Sequence, residues 1–307
     1  MDTPASSGTS VRSEWSPPLP PATGFEHHIV ETPGARMHVA VMGEGDPVLM
    51  LHGFPQHWWE WRAVGARIAA AGRRVICPDL RGSGWTEADE PGIARTSMLH
   101  DVVALLDVLG IPHVDVVSHD LGAVVAGQLA YEHPERVRGA VQFAVPPAFM
   151  RFSPRLLPAF RHMPPLLAHR DGGSLAWLFG PDYAAQPMTA EVLDGYLRVQ
   201  RRTGFDAAVR ALYRGMIIPE VMRLASGHYR RRRLHPPTLA VFGRRDGPFT
   251  EQTVRRICRG HERCADRFEL AFIDGAAHFV IDDAPEEAAA VALEWFARNA
   301  AAPGFPE

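Results

Sequence analysis

Short apolar runs punctuate the first half of the chain, and several end at a glycine, a proline or a polar residue. Pro47–Leu51 stops at His52-Gly53, Arg74–Cys77 stops at Pro78, and Val114–Val117 and Val137–Phe143 follow. Runs of this length bounded by turn signals read as buried strands. Ahead of them, His28–Glu31 and Met37–Met42 read as two further strands joined at Pro33-Gly34. Longer helix-like stretches lie between the runs. Trp58–Ala71 stops at Gly72, Ser97–Leu109 stops at Gly110, and Ala123–Glu132 closes on His133-Pro134. Strands alternating with helices predict an α/β domain: a mostly parallel central sheet with helices on both faces.

The alternation breaks after the sixth strand. From Pro146 to Leu234 no strand-like run occurs, and helical stretches such as Ala190–Gln200 and Phe205–Tyr213 are scattered among prolines and arginines. A helical lid over residues 147–234 is the expectation. Its charge run Arg230–Arg233 reads as a solvated edge. Strands at Thr238–Phe242 and Phe268–Ile273, with helices at Thr250–Cys258 and Pro285–Asn299, then resume the pattern. The core is therefore expected over residues 25–146 and 235–302, behind a disordered leader at residues 1–24 that is rich in Pro, Ser and Thr.

Composition narrows the classes of function. With 307 residues, 46% hydrophobic and 22% charged, the chain is long enough for one large α/β domain with an insertion. A formal charge of −3 lacks the basic footprint that phosphate neutralisation requires, so nucleic acid is not an expected partner. No stretch is apolar for long enough to span a bilayer. Cys77, Cys258 and Cys264 match no metal or redox spacing and read as reduced thiols of a cytoplasmic protein. A homodimer is compatible with all of this.

The chemistry concentrates at loop positions that follow strands. Ser118-His119-Asp120-Leu121-Gly122 ends a strand and opens a helix. A sharp turn there exposes its middle residue and demands small neighbours two positions away on either side. Asp120 holds the middle place. A carboxylate is already ionised at neutral pH and can attack a saturated carbon without a base, leaving an alkyl ester. His52-Gly53-Phe54-Pro55-Gln56 follows an earlier strand and can offer the Phe54 N–H, beside the Leu121 N–H, to an oxyanion. Asp246 in Phe242-Gly243-Arg244-Arg245-Asp246 and His278 in Gly275-Ala276-Ala277-His278-Phe279 follow in the order nucleophile, acid, base. Asp274 is a rival acid close to His278. Trp58, Trp59 and Trp61 read as core residues.

These motifs, with Pro78-Asp79-Leu80-Arg81-Gly82-Ser83-Gly84, resemble the epoxide hydrolase and haloalkane dehalogenase branch of the α/β-hydrolase superfamily from about Glu26 onward. The resemblance implies the α/β-hydrolase fold and a small-molecule substrate, with no metal or organic cofactor. It also implies that Tyr213, in a Tyr-Arg pair late in the lid, protonates the oxygen of an opening epoxide. A second lid tyrosine expected earlier is absent, leaving Tyr183, Trp177 and His162 as candidate substrate contacts. Leu121 stands where the family commonly has a tryptophan that holds halide, which disfavours dehalogenation. The expected activity is hydrolysis of an apolar or natural-product epoxide to a vicinal diol through an ester on Asp120. A hydrolytic dehalogenase, and a non-hydrolytic catalyst or ligand-binding protein on the same scaffold, are the alternatives.

Overall fold

The computed structural model describes residues 15–90 and 92–300. Among the described residues nine strands form one sheet: β1 (Glu26–Thr32), β2 (Ala35–Met42), β3 (Asp46–Leu51), β4 (Arg73–Pro78), β5 (Glu87–Ala88), β6 (Val114–His119), β7 (Val137–Phe143), β8 (Thr238–Gly243) and β9 (Phe268–Ile273). Their order is β1-β2-β4-β3-β6-β7-β8-β9, with β5 paired to the end of β2. Pairings β1/β2, β2/β4 and β2/β5 are antiparallel, and those from β4 through β9 are parallel. The expected mostly parallel sheet is therefore present. The two-residue β5, too short to carry a periodic signal, makes the strand before the insertion the seventh and not the sixth.

Strand alternation divides the core between the two faces. Val48 and Met50 of β3 point into a cluster with Trp58, Trp61 and Trp295, whereas Leu49 and Leu51 point into another with Leu105 and Val125. The first face is covered by α1 (Arg62–Ala70), and the second by α2 (Ser97–Val108) and α3 (Leu121–Glu132). Residues between β7 and β8 contain only helical elements: α4 (Met163–Leu167), α5 (Ala190–Leu197), α6 (Phe205–Leu212) and α7 (Ile218–Ala225), with intervening turns. After β8 come α8 (Glu251–Ile257), α9 (Val280–Asp283) and α10 (Pro285–Ala300), the last packing on α1. A third cluster joins Phe242 and Val254 to Tyr229 and Phe149 of the insertion.

The leader reading needs correction over its described part. Residues 1–14 lie outside the described residues. Beyond them, Trp15 packs edge-on against His38, and the carbonyls of Pro17 and Pro21 accept from the indoles of Trp85 (2.7 Å) and Trp59 (2.9 Å). Proline-rich composition suggested disorder, but buried indole N–H groups need acceptors, and this segment supplies them.

Candidate active site

Asp120 closes β6 with φ 46° and ψ −114°, a conformation that side chains with a Cβ rarely adopt. The turn is forced by close packing: a Cβ on Gly122 would stand 2.0 Å from the Leu51 carbonyl oxygen. Only glycine fits there, which fulfils the small-neighbour requirement. Ser118 is buried, and its hydroxyl donates to the Val141 carbonyl at 3.3 Å.

Three loops converge on the Asp120 carboxylate. From the loop after β3, the Phe54 N–H donates to Oδ1 at 2.9 Å. Leu121 opens α3, where the first amides have no acceptor within the helix. From the loop after β9, His278 Nε2 lies 3.3 Å from Oδ2. On its other side His278 Nδ1 donates to Asp246 Oδ2 at 3.2 Å, and Asp246 is held just beyond β8. Asp274 is instead exposed and paired with Arg244, away from the histidine.

Charge is strongly coupled at this point. Burial opposes protonation of His278, but hydrogen bonds and charge from Asp120 and Asp246 outweigh it and raise its pKa to about 10. The same pairing, with His119 and the Phe54 N–H, overcomes burial and holds the Asp120 carboxyl well below the usual carboxylate range. The ground state is an ion pair.

Tyr213 stands across the cavity, its ring edge-on to Phe54 with centroids 5.7 Å apart. Burial and the Asp120 charge push its phenol well above the ordinary value, so it stays protonated. It begins a π turn, Tyr213–Ile217, between α6 and α7. Proline in a helix clashes with the carbonyl four residues earlier. Pro219 would meet that of Gly215, and the wider turn relieves the clash. Gly215 is pressed against the Ile93 carbonyl, where a Cβ would come within 1.8 Å.

Of the three further contact candidates, the structure brings in two. His162 lies with its ring centroid 6.0 Å from that of Tyr213, and burial lowers its pKa. Tyr183 is 6.0 Å from the His278 ring by the same measure, with its hydroxyl accepting from Arg161 at 3.4 Å. Trp177 does not belong with them. It is 43% exposed and outside the cavity lining, because the 3₁₀ turn that carries it points Leu178 and Phe179 inward. Apart from Glu220, whose carboxylate is paired with Arg95, Gln128 and Tyr229, the remaining wall is apolar, including Val124, Met150, Leu156, Leu212, Ile217 and Phe249. Trp58 and Trp61 are fully buried in the core, as read. Among the described residues no three His, Cys, Asp or Glu side chains form a metal-holding group.

Glu60 and His119 escaped the sequence reading. The signal was there, a carboxylate inside Trp58-Trp59-Glu60-Trp61 and a histidine beside Asp120, but nothing in the spacing shows that the two meet.

A family model described as alpha/beta hydrolase fold matches residues 46–162. Epoxide hydrolase 2 of Siraitia grosvenorii is 41% identical over 134 residues, 43% of this chain and 42% of the relative. The soluble epoxide hydrolase of Corynebacterium sp. (strain C12) is 40% identical over 116 residues, 38% of this chain and 40% of the relative. The chain thus spans about two fifths of the length of these curated relatives. Among solved structures, epoxide hydrolase VrEH1 from Vigna radiata superposes with a TM-score of 0.73 at 26% identity, covering 89% of this chain and 98% of that one. A laboratory-evolved variant of potato epoxide hydrolase StEH1 gives 0.72 at 25%, covering 90% and 100%.

Proposed function

We propose that this chain, a member of the α/β-hydrolase superfamily, is an epoxide hydrolase acting on an apolar small-molecule epoxide. One observation carries the reading: a carboxylate on a strained elbow, paired with a histidine–aspartate couple, faces a buried phenol across an apolar cavity. The epoxide hydrolases among its relatives and structural neighbours support it.

In this mechanism Asp120 Oδ2 attacks one epoxide carbon, the ring C–O bond breaks, and Tyr213 gives its proton to the leaving oxygen. His162 and Tyr183 contact the substrate in the cavity beneath a lid formed by residues 147–234. Once Asp120 is an ester its charge is gone, so the field that kept His278 protonated weakens. His278 releases its extra proton, which restores Tyr213, and becomes a base. It takes a proton from water, and the hydroxide adds to the ester carbon. The oxyanion forms on Oδ1 against the N–H groups of Phe54 and Leu121. Collapse expels the diol oxygen, which takes the proton from His278. The carboxyl proton of Asp120 then passes to His278 and restores the starting ion pair. Three buried, unpaired cysteines support a cytoplasmic setting.

Diol formation from a panel of apolar epoxides, run beside halide release from matched chloroalkanes, tests the assignment. Diols without halide are expected. Halide with no diol would make the chain a dehalogenase, and neither product, with every panel member inert, would remove the hydrolytic reading.

A further inference from the structure

Glu60 lies on the 3₁₀ turn Trp58–Trp61 with its side chain sealed from solvent. Its Oε2 accepts from the Gly53 N–H at 3.1 Å and stands 3.4 Å from His119 Nδ1. Its Oε1 has no partner. On the far side of the ring, His119 Nε2 is 3.0 Å from the His278 carbonyl oxygen. A carbonyl only accepts, so Nε2 must carry a proton. A neutral imidazole protonated there turns a lone pair from Nδ1 toward Glu60. That lone pair would repel an ionised carboxylate, and an ionised carboxylate in this setting is itself costly. One more proton must therefore sit between Oε2 and Nδ1. Burial alone holds the Glu60 carboxyl above the usual carboxylate range. The titratable groups facing the pair are His52, Cys77, Asp120, Tyr196 and His278.

The pair touches all three loops of the site. Gly53, held by Glu60, precedes Phe54, whose N–H meets Asp120 Oδ1. His119 precedes Asp120 in the chain, and its other nitrogen holds the backbone of the proposed base. Asp120 passes from carboxylate to ester to tetrahedral adduct and back, and oxyanion donors work only within a few tenths of an ångström of their target. We propose that Glu60 is a positioning residue: by sharing one buried proton with His119, it keeps the Phe54 N–H and His278 in register while the ester on Asp120 is hydrolysed. This rests on the epoxide hydrolase reading for its kinetic consequence, but not for the shared proton.

Two measurements test it. In protein labelled with ¹⁵N-histidine, the substrate-free wild type should show a far-downfield ring N–H proton. It should vanish in His119→Asn, which assigns it, and in Glu60→Gln. A wild-type spectrum lacking that resonance, or its persistence in Glu60→Gln, overturns the proposal whether or not any epoxide reacts. In single-turnover mixing, Glu60→Gln should form the ester within about threefold of the wild-type rate and hydrolyse it at least about tenfold more slowly. Equal slowing of both steps indicates general loosening of the fold and also overturns it. Should Glu60→Gln not fold, His119→Gln should reproduce the selective hydrolysis defect, and its absence there has the same force. If wild type forms no ester with any epoxide, the functional reading fails separately, and the NMR result still decides the shared proton.

Discussion

At the scale of single residues, the site is a charge pair held in strain. A non-glycine residue at φ 46° costs free energy, of order 1–3 kcal/mol, and persists only where its surroundings over-determine it. At Asp120 they do: Gly122 wedges the turn, the Phe54 N–H fixes one oxygen and His278 faces the other. The pairing has a measurable consequence. His278 titrates at about 10 in the fold against 6.5 ordinarily, so its contribution to stability is complete below pH 6.5 and is lost as pH rises through about 10. Between those values the folded state holds the extra proton, and stability should fall by up to about 1.4 kcal/mol per pH unit. Asp120→Asn removes one source of the shift, and its slope over pH 7–10 should be shallower than that of wild type in urea unfolding. Parallel slopes would mean that the two side chains are not coupled. Asp120, Asp246 and His278 were legible in the sequence because each sits in the loop directly after an apolar strand. Glu60 was not, because its partner is a residue 59 positions away that only the folded sheet brings near.

At the scale of elements, the helix carrying Tyr213 shows how backbone irregularity sets the side chain proposed as proton donor. A regular α-helix from Phe205 to Ala225 would drive the Pro219 ring into the Gly215 carbonyl, and the π turn at Tyr213–Ile217 absorbs the extra residue. Gly215 lets that widened turn lie against the Ile93 carbonyl. Gly215→Ala should push the turn away and carry the Tyr213 phenol with it. Ester formation should slow by up to about 100-fold, the penalty of a displacement near 1 Å. Stopped-flow quenching of intrinsic fluorescence can follow that step, and an unchanged rate would separate the position of Tyr213 from the turn. Periodicity located the helix to within a residue at Phe205–Tyr213, yet it gave no hint of the π turn. The register change depends on a proline six residues beyond the turn's start, and a sequence pattern does not resolve it. Trp177 was misplaced for a related reason: a 3₁₀ turn in an aperiodic stretch gives no way to tell which of three neighbouring apolar residues turns outward.

Across the whole molecule, the middle of the sheet was readable because its central strands, such as β6 and β8, are buried on both faces, whereas the seat of the insertion was not. It is fixed by contacts between distant segments. The His278 N–H donates to the Tyr183 carbonyl at 2.9 Å. Asp283 accepts from Ala277 N–H at 2.9 Å and from Ala185 N–H at 3.3 Å. Asp282 receives Tyr196, Arg62 and Gln56. The loop carrying His278 and the insertion are thus tied together, and Tyr183 reaches the cavity on the tied segment. Asp283→Ala removes a charged acceptor from two amides, and Ala185 and Ala277 should exchange hydrogen about tenfold faster or more. Amides of β6 and β7 should be unaffected. Uniform acceleration across the sheet would show that the tie serves global stability and not the seat of the insertion.

The central claim, a covalent ester on Asp120, is tested most directly by intact-mass analysis of His278→Gln incubated with an apolar epoxide. Glutamine cannot take a proton from water, so attack should proceed while hydrolysis stalls. The account predicts a mass increase of one whole substrate, mapped by peptide digestion to the segment containing Asp120 and absent from the double variant with Asp120→Asn. An epoxide that wild type converts to diol, but that leaves no adduct on His278→Gln, would contradict it.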